Sequence, residues 1–203
     1  MIVDAVQRIA TEANIDVENT CSPEACLIEQ ARKDGAAFAK LYRMHYDAVF
    51  RYCAHRLFDR HAAEDITSAV FSKVVERFHG FKGDDRQFRN WLYTIATNEV
   101  NNFLRCKARG LELLKLYSQR ATKDKEPATS VEKLAALQRG LLALKPKYQT
   151  IITLRFFEKM KLTEIAEVTG ARPATVRSQL ARALAKLKKT LAFAGPQREV
   201  QND

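Results

Sequence analysis

Leu162-Thr163-Glu164-Ile165-Ala166-Glu167-Val168-Thr169-Gly170-Ala171-Arg172-Pro173-Ala174-Thr175-Val176-Arg177-Ser178-Gln179-Leu180 is a stretch in which the residue types have mechanical reasons for their positions. Ile165 and Ala166 supply the inward face of a short helix. Gly170 permits the left-handed backbone of a tight turn, and Pro173 pre-sets the first turn of the helix that follows. Beyond it Val176, Leu180, Leu184 and Leu187 recur at i, i+4, i+8 and i+11, which predicts one apolar stripe against a core. The other side presents Arg172, Thr175, Arg177, Ser178, Gln179 and Arg182, donors and acceptors long enough to reach base edges or phosphates in a DNA major groove. The pattern is that of a helix-turn-helix. A plain surface helix would also carry solvated cations, but the tight turn spacing and the trailing Lys186, Lys188 and Lys189 agree on nucleic acid.

Charge supports that assignment. The 203 residues hold 34 Lys and Arg against 24 Asp and Glu, a net +10, which points to a polyanionic partner. Residues 132–203 carry 14 of the basic side chains and 6 of the acidic ones, whereas residues 1–33 carry 3 and 6. With 46% apolar residues the chain can build two small modules, each with a modest core. Only 7 Gly and 5 Pro interrupt it, so the expected class is all-α. No window nears the ~20 apolar residues of a membrane span, and the N-terminus lacks a signal-peptide profile, so a cytoplasmic protein without membrane insertion is expected.

The cysteines Cys21, Cys26, Cys53 and Cys106 have no paired spacing, which predicts reduced, mostly buried thiols. Cys53, His55 and His61 lie close in sequence but lack a second ligand pair, so neither a metal nor a cofactor is expected. No Ser/His/Asp set, phosphate-binding loop or catalytic carboxylate pair is recognisable, which argues against an enzyme.

Upstream, Ser22-Pro23-Glu24 reads as a helix start. Leu27, Phe38, Leu41, Tyr42, Val49 and Tyr52 then recur at helical spacing, with Gly35 as a bend. A second helix is expected over 62–78 and a third over 88–107, the latter with Trp91, Leu92, Ile95, Ala96 and Phe103 on its core face. Between them Gly80-Phe81-Lys82-Gly83-Asp84-Asp85 breaks both periods, and Phe81 has little core to join there. Residues 118–131 are too polar to offset chain entropy by burial and read as a flexible linker. Leu134, Leu137, Leu141 and Leu144 predict a further helix, and Pro146 opens the next.

These motifs resemble the small two-domain sigma factors of the extracytoplasmic-function type, in the sigma-70 family, over about residues 34–192. Ala63-Glu64-Asp65-Ile66-Thr67-Ser68-Ala69-Val70-Phe71 is similar to that family's polymerase-binding helix, which implies roles for Glu64, Asp65, Ser68 and Phe71. Trp91-Leu92-Tyr93-Thr94-Ile95-Ala96-Thr97-Asn98 with Arg105 is similar to its −10 helix, implying Asn98, Asn101 and Arg105 as contacts and a base-cradling loop around Phe81. Leu154-Arg155, Glu164-Ile165-Ala166 and Thr175-Val176-Arg177-Ser178 are similar to its −35 module. Departures occur at Ser68, Thr97 and Asn102, where the family usually has Gln, Arg and Asp. Lys161 and Arg172 replace usual capping Ser residues, costing about 0.5–2 kcal/mol at each helix start.

The resemblance implies an N-terminal extension at 1–33, partly helical or disordered, a region 2-like bundle at 34–117, the linker at 118–131, a region 4-like helix-turn-helix domain at 132–192, and a tail at 193–203. Core RNA polymerase, promoter DNA and an anti-sigma protein or other regulatory partner are the implied partners. Two alternatives are a helix-turn-helix regulator acting without polymerase, which leaves the Glu64-Asp65 helix unused, and a sigma-like decoy, which has no need of Arg177, Ser178 and Arg182. The basic C-terminal half generates one prediction: residues 132–203, prepared alone, bind duplex DNA with an affinity that falls steeply as salt is raised, because phosphate contacts release counterions. A flat salt response in a titration from low to physiological salt would contradict it.

Overall fold

The computed structural model describes residues 23–115 and 137–193, and every regular element among them is helical. The stretches expected as the N-terminal arm up to Ser22, the 118–131 linker, the Leu134 turn and the tail after Phe193 lie outside the described residues.

The first module holds α1 (Pro23–Ala31), α2 (Gly35–Leu57), α3 (Arg60–Phe78) and α4 (Asp85–Lys115). Local chemistry sets each start. Asp34 accepts from the Ala36 and Ala37 amides at 3.0 and 3.2 Å, and Asp59 from the Ala62 amide at 3.1 Å, satisfying donors that a helix N-terminus leaves open. Before α4, Asp84 and Gln87 cap each other, side chain to backbone, at 2.8 and 3.0 Å. α1 packs on this module, with Leu27, Ile28 and Ala31 buried and Arg32 donating to the Phe81 carbonyl at 2.8 Å. Cys53 is buried, which pushes its thiol up to about 11, whereas Cys106 is exposed.

The second module comprises a helical stretch at 137–142, α5 (Pro146–Ile152), a π-turn over Thr153–Phe157, α6 (Leu162–Thr169) and α7 (Pro173–Phe193). Pro146 opens α5, and the Gln149 amide closes the preceding helix by donating to the carbonyls of Leu142 and Leu144. Gly170 takes φ 64° between α6 and α7. Open space surrounds its Cβ position, so the need for glycine is conformational rather than steric. The start of α6 is better closed than its sequence implies, because the Glu164 carboxylate accepts from the Lys161 amide at 2.6 Å. The α7 stripe is Val176, Leu180, Ala183 and Leu187, with Ala183 fully buried and Leu184 only half-buried. Seven residues return nearly to the same helix face, whereas eight overshoot it by about 80°.

The modules do not stand apart. Leu154, Met160, Ile165, Val168 and Val176 join the same apolar cluster as residues of the first module, while Leu144, Tyr148, Ile152, Ala183 and Leu187 form a smaller cluster. A polar seam runs along α4, where Arg89 donates to the Glu158 carbonyl at 2.5 Å, Asn90 to the Glu167 carboxylate at 2.6 Å, and Tyr93 to the Glu158 carboxylate. His55 stacks on Phe157 with centroids 4.1 Å apart.

Phe81 corrects one expectation. Its ring is 8% exposed and lies 5.5 Å from Phe88 and 5.0 Å from Trp91, so the loop does give it a core to join. The turn that delivers it there needs Gly83, whose Cβ would sit 2.9 Å from the Phe81 ring and 2.6 Å from Gln87 Oε1. Phe81→Ala is therefore expected to cost about 3 kcal/mol of stability in urea unfolding. A loss well under 1 kcal/mol would show that the ring packs against nothing.

Candidate nucleic-acid interface

α7 is held from beneath and open above. Val176 is fully buried, whereas Arg172, Thr175, Arg177, Ser178 and Arg182 are exposed and Gln179 is half-buried. Ser178 donates to the Thr175 carbonyl at 2.9 Å, which leaves its oxygen lone pairs to accept from a ligand. Arg177 and Arg182 project about 140° apart around the axis, so the pair spans more than one row of contacts. The structure brings together the whole set expected at this face. Lys186, Lys188 and Lys189 extend its positive surface along the same helix, and all three are exposed.

A second polar surface lies on α4. Asn98, Asn101, Asn102 and Arg105 line a groove of about 790 Å³, and Pro146 of the second module lines it with them. Asn98 and Arg105 are exposed, and Arg105 donates to Asn102 Oδ1 at 3.1 Å. Asn101 is half-buried, and its Oδ1 accepts from Arg56 Nη2 at 2.8 Å. Thr97 is buried 2.8 Å from the Tyr52 hydroxyl, so this departure from the family pattern is sealed between α2 and α4, away from any ligand. Phe81, expected beside these residues, is shut in the aromatic cluster and offers no free ring face.

On α3, Asp65 and Ser68 are exposed, and Glu64 is half-buried in an ion pair with Arg60 at 2.9 Å. The Ser68 hydroxyl donates to the Glu64 carbonyl of its own helix, so it does not reach as far as the usual glutamine would. Phe71, expected with them, is instead buried, 4.5 Å from the Tyr42 ring. Ser72 and Val75 continue the exposed stripe, and Val75 is 55% exposed. Their i+7 and i+10 spacing from Asp65 was readable in the sequence.

Arg56, Tyr93, Glu158 and Glu167 were not legible as site-related. Tyr93 and Glu167 fall within the Trp91-to-Asn98 and Leu162-to-Leu180 stretches without a role of their own, and Arg56 left a trace as a charge four residues after Tyr52 on an apolar stripe. Burial raises the Glu158 carboxyl above its ordinary range, with the Tyr93 hydroxyl and Arg89 opposing, and burial likewise raises the Tyr93 phenol. Burial also lowers His55, with Arg51 adding to the effect.

The two halves match different parts of one family. Residues 41–110 match Sigma-70 region 2, and residues 134–187 match Sigma-70, region 4. The chain is 30% identical to the ECF RNA polymerase sigma factor SigW of Bacillus subtilis, over 81% of this chain and 94% of that protein. It shares its fold with CnrH, solved in complex with the cytosolic domain of CnrY, at a TM-score of 0.65 and 23% identity, covering 84% of this chain and 98% of that one. The sigma factor RpoE of Bartonella quintana, solved with the anti-sigma factor NepR, has the same fold at a TM-score of 0.60 and 20% identity, over 78% and 98% of the two chains. With both regions present in order and a relative matched over nearly its full length, the chain belongs to the extracytoplasmic-function family of RNA polymerase sigma factors.

Proposed function

We propose that this protein binds core RNA polymerase through the exposed stripe of α3 and directs it to promoters whose −35 element is read by α7 and whose −10 element enters the α4 groove. The observation that carries this reading is the simultaneous exposure of two basic or amide-rich surfaces, Arg172 to Arg182 and Asn98 to Arg105, on the two matched regions. Asp65 and Ser68 provide the polar contacts to polymerase, with Val75 as an adjoining apolar one and Glu64 holding the helix end. Arg177 with Ser178 carries most of the −35 base readout, and Arg182 combines base and phosphate contact. Asn98, Asn101 and Arg105 form the −10 site, with Phe81 bracing the loop beside it. The protein supplies recognition, with the chemistry left to the polymerase. A chain with these partners acts in the cytoplasm, a reading compatible with helices that, among the described residues, are none of them long and apolar enough to cross a membrane.

The docked arrangement is not the one that engages a promoter. The −35 and −10 positions differ by about 25 base pairs, or about 85 Å of duplex at 3.4 Å per pair, whereas Asn90 of the first module and Glu167 of the second are hydrogen-bonded at 2.6 Å. The 21 residues between 115 and 137 reach at most about 75 Å when extended, so separating the modules along the α4 seam brings both elements within range. A regulatory protein that holds the closed form would keep such a chain off promoters. RpoE, solved with an anti-sigma factor, shares this fold.

Transcription in vitro with core polymerase tests the reading. The chain should yield a promoter-specific transcript that core alone does not, and Asp65→Lys should cut both the transcript and core binding about tenfold or more while leaving the circular-dichroism spectrum and duplex binding unchanged. Equal loss of helicity would mean the substitution had unfolded the protein. At the −35 element Arg177→Ala should remove about 1–3 kcal/mol of discrimination at one or two positions, measured by competition among single-base variants at fixed salt. A profile that keeps its shape while overall affinity falls would make Arg177 a phosphate contact.

A further inference from the structure

Arg56 is the largest of the almost fully buried side chains among the described residues, 1% exposed, yet no ion pair joins it to a carboxylate among them. Its charge is met by dipoles alone. Nη2 donates to Asn101 Oδ1 at 2.8 Å, Nη1 to the Pro146 carbonyl at 3.4 Å, and Nε has no partner. A cation with so little compensation is costly to bury, so a plain packing role is a poor account of it. Both of its acceptors, Asn101 and Pro146, line the α4 groove.

The chemistry of the pair has one reading. A guanidinium has only donors, so the Asn101 atom that faces it is the carbonyl oxygen and the amide nitrogen must point elsewhere. Asn101 and Arg56 both belong to the first module, on α4 and α2, so this contact survives when the second module and its Pro146 carbonyl move away. We propose that Arg56 is a positioning residue of the −10 site: it fixes the Asn101 amide so that its NH₂ group faces the groove as a donor to acceptor atoms of the −10 bases. The groove then prefers bases that offer an acceptor at that point, and Arg56 sets that preference without touching DNA.

This rests on the sigma-factor reading above, and the test separates the two. Holoenzyme made with the full chain is assayed for transcription and binding on a set of single-base −10 variants. Asn101→Ala, Asn101→Asp and Arg56→Met should each lower discrimination at the same one or two −10 positions by about 3- to 10-fold, the size of one lost hydrogen bond, and leave the −35 profile unchanged. Asn101→Asp is the informative variant. It supplies the missing negative charge to Arg56, so thermal stability should hold or rise, but a carboxylate has no donor and the −10 preference should still be lost. Arg56→Lys, which keeps a donor to Oδ1, should restore most of that preference. A −10 profile that survives in Asn101→Asp, or in folded Arg56→Met, overturns the proposal. Absence of any promoter-specific transcript from the unsubstituted chain would instead overturn the sigma-factor reading itself.

Discussion

The fold depends on α4 having more faces to cover than one small bundle can cover. Its 31 residues present Leu92, Ile95, Ala96 and Val100 to the first module's core, all buried. They also carry Asn90 and Tyr93, whose polar ends would need water if nothing lay over them. The second module supplies that cover. Glu158 at the end of the π-turn meets Tyr93, and Glu167 on α6 meets Asn90. A buried phenol and a carboxyl both pushed toward their neutral forms by burial can share a proton-mediated contact without stranding a full charge. The seam therefore combines these hydrogen bonds with the apolar contact of Leu154, Met160, Ile165, Val168 and Val176 against the first module.

That joint explains how recognition surfaces are distributed. α7 is seated through Val176 and Ala183, on the side away from its arginines, so docking leaves the Arg177 face open. The α4 groove is treated differently, because Pro146 of the second module forms one of its walls. The α7 surface is thus open in this arrangement, and the α4 groove is narrowed by the second module. The π-turn at Thr153–Phe157 makes the geometry possible: the extra residue in its hydrogen-bond ring turns the chain so that Glu158 and Phe157 both reach the first module.

Buried polar groups in this protein follow a consistent rule. Thr67, Thr150 and Thr153 each return a hydroxyl to the carbonyl four residues back, and Gln149 spends its amide on two helix-end carbonyls. Such groups are satisfied locally and need no ligand. Arg56 departs from that rule by leaving Nε unmet, as Arg32 Nε and Asn90 Oδ1 also are, and it is the one of these three whose acceptors, Asn101 and Pro146, line the α4 groove.

What was legible in the sequence was local. Pro173 and Gly170 declare a turn between two helices, the Ala63-to-Phe71 and Trp91-to-Asn98 motifs declare two helices of the first module, and the exposure of Arg172 to Arg182 follows from helical period alone. These features rest on backbone preference and on spacing within one helix, which a chain carries wherever it folds. The burial of Phe81 and Phe71 was not legible, because whether an aromatic joins the core depends on what lies across from it, here Trp91 and Tyr42. The Tyr93–Glu158 and Arg56–Asn101 pairs join residues 65 and 45 positions apart, so no window of sequence contains them. By itself, then, the sequence determined the helices, their exposed faces and the family. The tertiary structure alone decided which polar side chains meet across the modules, because hydrogen bonds depend on distances that only packing sets.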